Sequence, residues 1–134
     1  MRPRTLVEVG PEVSVAEAAK LMAKRSVGAV VVVAAGQLAG IFTERDIAYR
    51  VVAKGRDANT TRLSDVMTRD PETIAADQPF GRALHRMQER GFRHMPVVEG
   101  GKVVGIVSSR SAMDPALEEF VFEANRRKHY EKTR

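Results

Sequence analysis

The sequence predicts an α+β fold: two tandem β-α-β-β-α repeats packed with pseudo-twofold symmetry, followed by a C-terminal helix. Three observations carry this. Sliding the chain by 65 residues aligns 9–46 with 74–111 without a gap. Each copy carries apolar residues at helical spacing, then two apolar runs joined by a glycine turn. From Pro115 onward the chain has an uninterrupted helical stripe. The expected organisation is repeat one over 1–60, repeat two over 61–113 and a tail over 114–134. Two copies are too few for a solenoid, so they are expected to share one packed unit.

Nine aligned pairs are identical: Ala18/Ala83, Met22/Met87, Arg25/Arg90, Val32/Val97, Val33/Val98, Gly36/Gly101, Gly40/Gly105, Ile41/Ile106 and Arg45/Arg110. Each copy starts with a short apolar stretch, Leu6–Val9 or Glu72–Ala75. A helix follows. Val15, Ala18, Ala19 and Met22 fall at i, i+3, i+4 and i+7, as do Phe80, Ala83, Leu84 and Met87. Ser14 is the expected cap of the first helix, with Glu17 three residues on. Met22 and Met87 belong to the apolar stripes and read as core.

The next strands are Ala29–Val33 and Leu38–Phe42 in copy one, Met95–Val98 and Val103–Val107 in copy two. Ala35-Gly36-Gln37 and Glu99-Gly100-Gly101-Lys102 read as their hairpin turns. A second helix starts near Glu44 or Ser109, and the first of these runs through Ile47, Val51 and Val52 to about Gly55. Residues 56–70 form a polar connector with a short turn around Leu63–Met67. In the tail, Leu117, Phe120, Val121 and Ala124 form an apolar stripe, with acids first and bases last, which complements a helix dipole.

The chain has 134 residues and no Cys, which removes disulfides, thiolate nucleophiles and sulfur-based zinc sites. The longest apolar run, Ala29–Ala35, is far short of a membrane span, and no signal-peptide stretch follows Arg2 and Arg4. A cytoplasmic location is expected. Net charge is +5, which suggests an anionic partner. The tail holds five bases and five acids, so the excess lies in residues 1–113. Arg82, Arg86 and Arg90 recur every four residues and read as an exposed helix face, and His85 and His129 as surface residues.

The informative stretch is Gly40-Ile41-Phe42-Thr43-Glu44-Arg45-Asp46, answered in copy two by Gly105-Ile106-Val107-Ser108-Ser109-Arg110-Ser111. Thr43 ends a strand and Asp46 lies in the first turn of a helix, whose unpaired N–H groups suit a phosphate. A carboxylate there can accept hydrogen bonds from both hydroxyls of a ribose. The same tetrapeptide, Thr43 to Asp46, is also a capping box. Local sequence leaves both roles open, and they can coexist in a free protein.

These two stretches, the 65-residue duplication and the Arg93-His94-Met95-Pro96-Val97-Val98 run resemble the CBS-domain family. The resemblance covers residues 5–113. It implies a Bateman module, a pair of repeats folded together, that binds a nucleotide and associates in twos as a flat disk. Asp46 would then hold the ribose and Thr43 the adjoining ribose–phosphate region. The other copy would complete the site: Arg93, His94 and Arg110 toward the phosphates, Phe92 and the Met67–Thr73 segment (with Thr68 and Thr73) flanking the adenine.

Copy two departs from the pattern. Ser111 stands where Asp46 stands, and copy one has Gly28 and Ala29 where copy two has Arg93 and His94. Both differences favour the Asp46 pocket. A second site at Ala29, Ser108 and Ser111 would be weak, empty or altered in preference.

The expected function is therefore regulatory signal transduction through an adenosyl nucleotide at one site per chain. AMP is favoured, with ADP, ATP and NAD as the other candidates, and no metal is expected. A homodimer and an unidentified effector protein are the expected partners, with no membrane. A nucleic-acid-binding protein is the alternative, set back by the lack of Trp and only 5% aromatic residues for stacking. An enzyme is not expected, because no catalytic constellation stands out.

Overall fold

The computed structural model describes residues 6–109. The expected tail helix, and with it His129, Arg110 and Ser111, falls outside the described residues.

Copy one opens with β1 (Glu8–Val9) and α1 (Val15–Arg25). Ser14 caps α1, its Oγ accepting from the Glu17 N–H at 3.1 Å. Val15, Ala18 and Met22 are buried, so the apolar stripe is the packed face. Then come β2 (Ala29–Ala34) and β3 (Gln37–Thr43). Their turn places Ala35 at φ 52° and Gly36 at φ 77°, the left-handed pair that matches the twist of a tight hairpin.

After β3 the expected single α-helix divides. One turn, α2 (Glu44–Asp46), widens into a π-helical segment, Ile47–Val52. Its bonds skip five residues, as in Ala53 N–H to the Ala48 carbonyl at 2.9 Å. Val51 stays in the core at 1% exposed, while Val52 is turned out at 70%. Val52 follows the wider turn to the surface.

The connector is less polar in its packing than in its composition. α3 (Leu63–Val66) and β4 (Thr68–Arg69) fold back on copy one. The Val15 N–H donates to the Thr61 carbonyl and the Leu63 N–H to the Val13 carbonyl, each at 2.9 Å. Leu63, Val66 and Met67 join the first core, beyond the expected division after residue 60. Copy two then supplies β5 (Ile74–Ala75), α4 (Phe80–Arg90), β6 (His94–Glu99) and β7 (Lys102–Ser108).

The first sheet has the order β1-β2-β3-β4, with β1 parallel to β2 and the other pairs antiparallel. The second has the order β5-β6-β7, again parallel then antiparallel. The duplication is visible bond by bond. Both hairpins shift register at the same place, Val32/Val33 and Val97/Val98. The Val27 N–H to Met22 carbonyl bond (3.0 Å) recurs as Phe92 to Met87 (3.1 Å). The Glu44 N–H to Gly28 carbonyl bond (3.0 Å) recurs as Ser109 to Arg93 (2.9 Å).

Each copy has its own core. Val30, Val32 and Phe42 pack with Ala18, Met22 and Leu63 in the first. Met95, Val97 and Val107 pack with Phe80, Ala83 and Met87 in the second. The opposite face of the first sheet carries Ala29, Val31 and Ile41, which are also buried. β3 and β7 lie against each other, so the two sheets meet. No described helix is long and apolar enough to cross a membrane.

Candidate functional site

The site grows from the end of β3. Gly40 lets the connector approach: a Cβ there would lie 2.6 Å from Met67 Sδ and 2.7 Å from the Thr68 carbonyl oxygen. This contact seats β4 beside β3, with Gly40 opposite Arg69 and Ile41 opposite Thr68. The chain then leaves the sheet at Thr43, whose extended backbone starts α2.

Thr43 and Asp46 form the capping box anticipated from their spacing. The Thr43 N–H donates to Asp46 Oδ2 at 2.9 Å, and the Thr43 hydroxyl donates to the same oxygen at 3.2 Å. In return the Asp46 N–H donates to Thr43 Oγ1 at 3.3 Å. Asp46 is 8% exposed, and Arg50 Nε lies 3.4 Å from its Oδ1. A carboxylate offers about four lone-pair sites. Oδ2 is well used by Thr43, whereas Oδ1 faces one long contact and keeps accepting capacity.

Arg50 is a residue that sequence reading passed over. Its guanidinium also donates to the carbonyls of Val66 (3.2 Å) and Met67 (3.1 Å). One side chain thus joins the motif carboxylate to the start of the connector. The signal was present, since Asp46 and Arg50 are spaced i, i+4 on one helical face.

A cavity of about 750 Å³ opens here, lined by both copies. Copy one contributes Thr43 and Asp46, the connector contributes Thr68, and copy two contributes Phe92, Arg93 and His94. These six are expected site residues, and the fold brings them together. Thr73 does not line it: its carbonyl turns toward α4, where Arg86 Nη1 donates to it at 3.3 Å. Ala29 is buried opposite Thr43 in the sheet, and Ser108 pairs with His94, so neither lines this cavity. Arg110 and Ser111 lie outside the described residues.

Other lining residues were not anticipated individually: Glu44, Arg45, Tyr49, Asp70 and Glu72. Arg45 reaches across the copies, its Nη1 donating to the Gly91 carbonyl at 3.4 Å, and it lies 5.1 Å from the Tyr49 ring centroid. Glu72 is 4.0 Å from Arg86 and from Arg90. The arginine stripe on α4 is therefore not simply solvated. Arg82 and Arg90 are exposed, but Arg86 is half-buried and holds the start of copy two through Glu72 and Thr73. His85 is on the surface, paired with Glu89 at 3.3 Å. Among the described residues no His, Asp or Glu cluster could hold a metal ion.

Two α+β repeats, packed through their sheets beside a cavity floored by a Thr-x-x-Asp turn, define a paired-repeat architecture. The CBS domain family matches the chain twice, over residues 1–53 and 63–116, and the chain belongs to that family. It is 38% identical over 105 residues to the CBS domain-containing protein CBSCBSPB2 of Arabidopsis thaliana, covering 78% of this chain and 20% of that one. It therefore spans about a fifth of that relative's length. It is 38% identical over 100 residues to the CBS domain-containing protein YhcV of Bacillus subtilis, covering 75% of this chain and 71% of that one.

Among solved structures, the fold matches a putative signal-transduction protein with CBS domains from Burkholderia ambifaria. The TM-score is 0.79 at 34% identity, over 87% of this chain and 85% of that one. It also matches CBS domain protein PAE2072 from Pyrobaculum aerophilum complexed with AMP, with TM-score 0.77 at 26% identity, over 90% and 93%. The CBS domain pair of protein MJ0100, in complex with 5-methylthioadenosine and S-adenosyl-L-methionine, matches with TM-score 0.73 at 27% identity, over 92% and 93%.

Proposed function

We propose that this chain is a regulatory sensor that binds an adenosyl nucleotide, AMP in preference to ADP, ATP or NAD, at one site per chain. The observation that carries the reading is the shared cavity. It sets the Thr43–Asp46 turn of copy one against Phe92, Arg93 and His94 of copy two. Asp46 Oδ1 accepts from the ribose hydroxyls, Phe92 and the connector flank the adenine, and Arg93 meets the phosphate. The AMP complex of the Pyrobaculum aerophilum protein and the adenosyl ligands of MJ0100 support the ligand class.

Binding acts as a signal through the connector, not through chemistry on the ligand. The cavity touches both copies, so a ligand that favours one arrangement of them shifts the population toward it. The output passes to an effector protein through a homodimer of paired repeats. No catalytic residue is assigned.

Titration calorimetry with AMP on the wild-type chain and Asp46→Ala tests the site. One tight site per chain is expected for the wild type. Loss of a charge-assisted contact should weaken AMP about 10- to 100-fold in the variant. Equal affinities would remove Asp46 from the site.

A further inference from the structure

One side chain joins the motif carboxylate to the part of the cavity wall that follows the connector. Arg50 leaves the π-helical segment and spreads its guanidinium between the two. Its Nη1 carries two hydrogens and donates to the carbonyls of Val66 (3.2 Å) and Met67 (3.1 Å). Its Nε faces Asp46 Oδ1 at 3.4 Å. The bonds to the connector are the shorter contacts, so the guanidinium is anchored there and leans on the carboxylate. Oδ2 is held from the other side by the Thr43 N–H and hydroxyl. The Asp46 carboxylate is thus oriented by its own turn through one oxygen and by a connector-bound cation through the other.

The chain just after these two carbonyls is cavity wall: Thr68, Asp70, Pro71 and Glu72 line it. It is gripped from two directions. On one side Gly40 admits the Thr68 carbonyl to β3, and the Asp70 N–H donates to the Ala39 carbonyl at 3.4 Å. On the other side Arg50 holds Val66 and Met67. The duplication supplies an independent observation. The positions of copy two aligned with Asp46 and Arg50 are Ser111 and Pro115. Proline brings neither a cation nor a side-chain donor. The carboxylate and its arginine are present together in copy one and absent together from copy two.

We propose that Arg50 is a positioning residue for the nucleoside half of the ligand: by bridging Asp46 to the Val66 and Met67 carbonyls, it fixes the spacing between the ribose carboxylate and the wall that flanks the adenine. This rests on reading the cavity as an adenosyl-nucleotide site. The arginine side chain is 48% exposed, so solvent screens its charge, and its contribution is geometric more than Coulombic. A planar fork can meet a carboxylate and two carbonyls at once, whereas an ammonium is a point charge on a flexible stem. With the bridge in place, the wall is held in the arrangement that accepts a nucleoside. Without it, the wall samples other positions, and the apparent affinity falls by the fraction of time spent in the accepting one. Ribose and adenine are affected together, because Arg50 acts on the distance between their two sites.

The test is calorimetry with adenosine and with AMP on the wild type, Arg50→Gln, Arg50→Lys and Asp46→Ala, at a temperature where melting shows each chain folded. Arg50→Gln should bind both ligands about fivefold more weakly, with the AMP-to-adenosine ratio staying within about twofold of the wild type's. Arg50→Lys restores the charge but not the fork, and should remain at least about threefold weaker than the wild type. In ligand-free Arg50→Gln, hydrogen exchange at the Thr68, Arg69 and Asp70 amides should quicken, and saturating adenosine should slow it again. Three results overturn the role of Arg50: wild-type affinities in Arg50→Gln, full rescue by Arg50→Lys, or a loss confined to AMP, which would put the guanidinium on the phosphate. In each of these, AMP binding lost in Asp46→Ala keeps the site. Wild-type affinity in Asp46→Ala, or no binding of either ligand to the wild type, overturns the site reading and the Arg50 role with it.

Discussion

Arg50 bonds to both ends of the site: its Nε is 3.4 Å from Asp46 Oδ1, and its Nη1 donates to the Met67 carbonyl at 3.1 Å. The pair ties the motif carboxylate to the connector that leads into copy two. The wider π turn carries Arg50 beside these carbonyls while Val51 stays in the core.

Replacing Arg50 with Gln should loosen this tie. The side chain of Arg50 is 48% exposed, so solvent screens the ion pair and the net loss is modest. About 1 kcal/mol is expected, or roughly 3–5 °C in Tm. Thermal melting checks the stability, and hydrogen exchange at Thr68 and Arg69 should quicken. Unchanged melting with unchanged exchange would show that the guanidinium holds nothing.

Gly40→Ala should be costly for a different reason. The new methyl would meet the Thr68 carbonyl oxygen at 2.7 Å, and backbone cannot swing away as a side-chain tip can. Overpacking of this kind costs about 1–3 kcal/mol. Denaturant melts should show the loss with an unchanged slope, because the fold stays compact. A neutral result would mean that β4 does not press on β3 as described.

Phe42 and Val52 make a paired prediction about copy one. Phe42 is 0% exposed and Val52 70%. Phe42→Ala should cost about 3–5 kcal/mol, through lost transfer energy and the cavity left behind. Val52→Ala should stay within about 0.5 kcal/mol in a single chain. If Val52→Ala is instead strongly destabilising at high protein concentration and neutral at low, the exposed valine is covered by another chain.

Arg93→Ala separates phosphate recognition from stability. The guanidinium has no partner among the described residues, so Tm should shift by no more than about 2 °C. AMP binding should fall about tenfold, as for one charge-assisted hydrogen bond. Adenosine, which lacks the phosphate, should lose less. Equal losses for AMP and adenosine would take Arg93 away from the phosphate.

Much of the architecture was legible because periodicity and duplication are local properties. The stripes Val15-Ala18-Met22 and Phe80-Ala83-Met87 are buried as their spacing requires. The Ala35-Gly36 and Gly100-Gly101 turns take the left-handed backbone that their residues suggest. The Thr43–Asp46 box was legible as well, since its bonds span only three residues. The π-helical turn was not. Its apolar residues Ile47, Val51 and Val52 satisfy an ordinary helical pattern, and only hydrogen-bond geometry tells the two helices apart.

The amino-acid order alone determined the two repeats, their strand and helix sequence, and the asymmetry between Asp46 with Arg93-His94 and Ser111 with Gly28-Ala29. These follow from patterning and from comparing one half of the chain with the other. Tertiary structure alone decided that Leu63 and Met67 belong to the first core, and that Arg86 leaves its exposed stripe for Thr73. It also decided that Glu44 stands over Gly28 near His94. The physical reason is sequence distance: burial is shared between segments far apart in the chain, and a side chain's charge acquires meaning only from the neighbours that packing assigns to it.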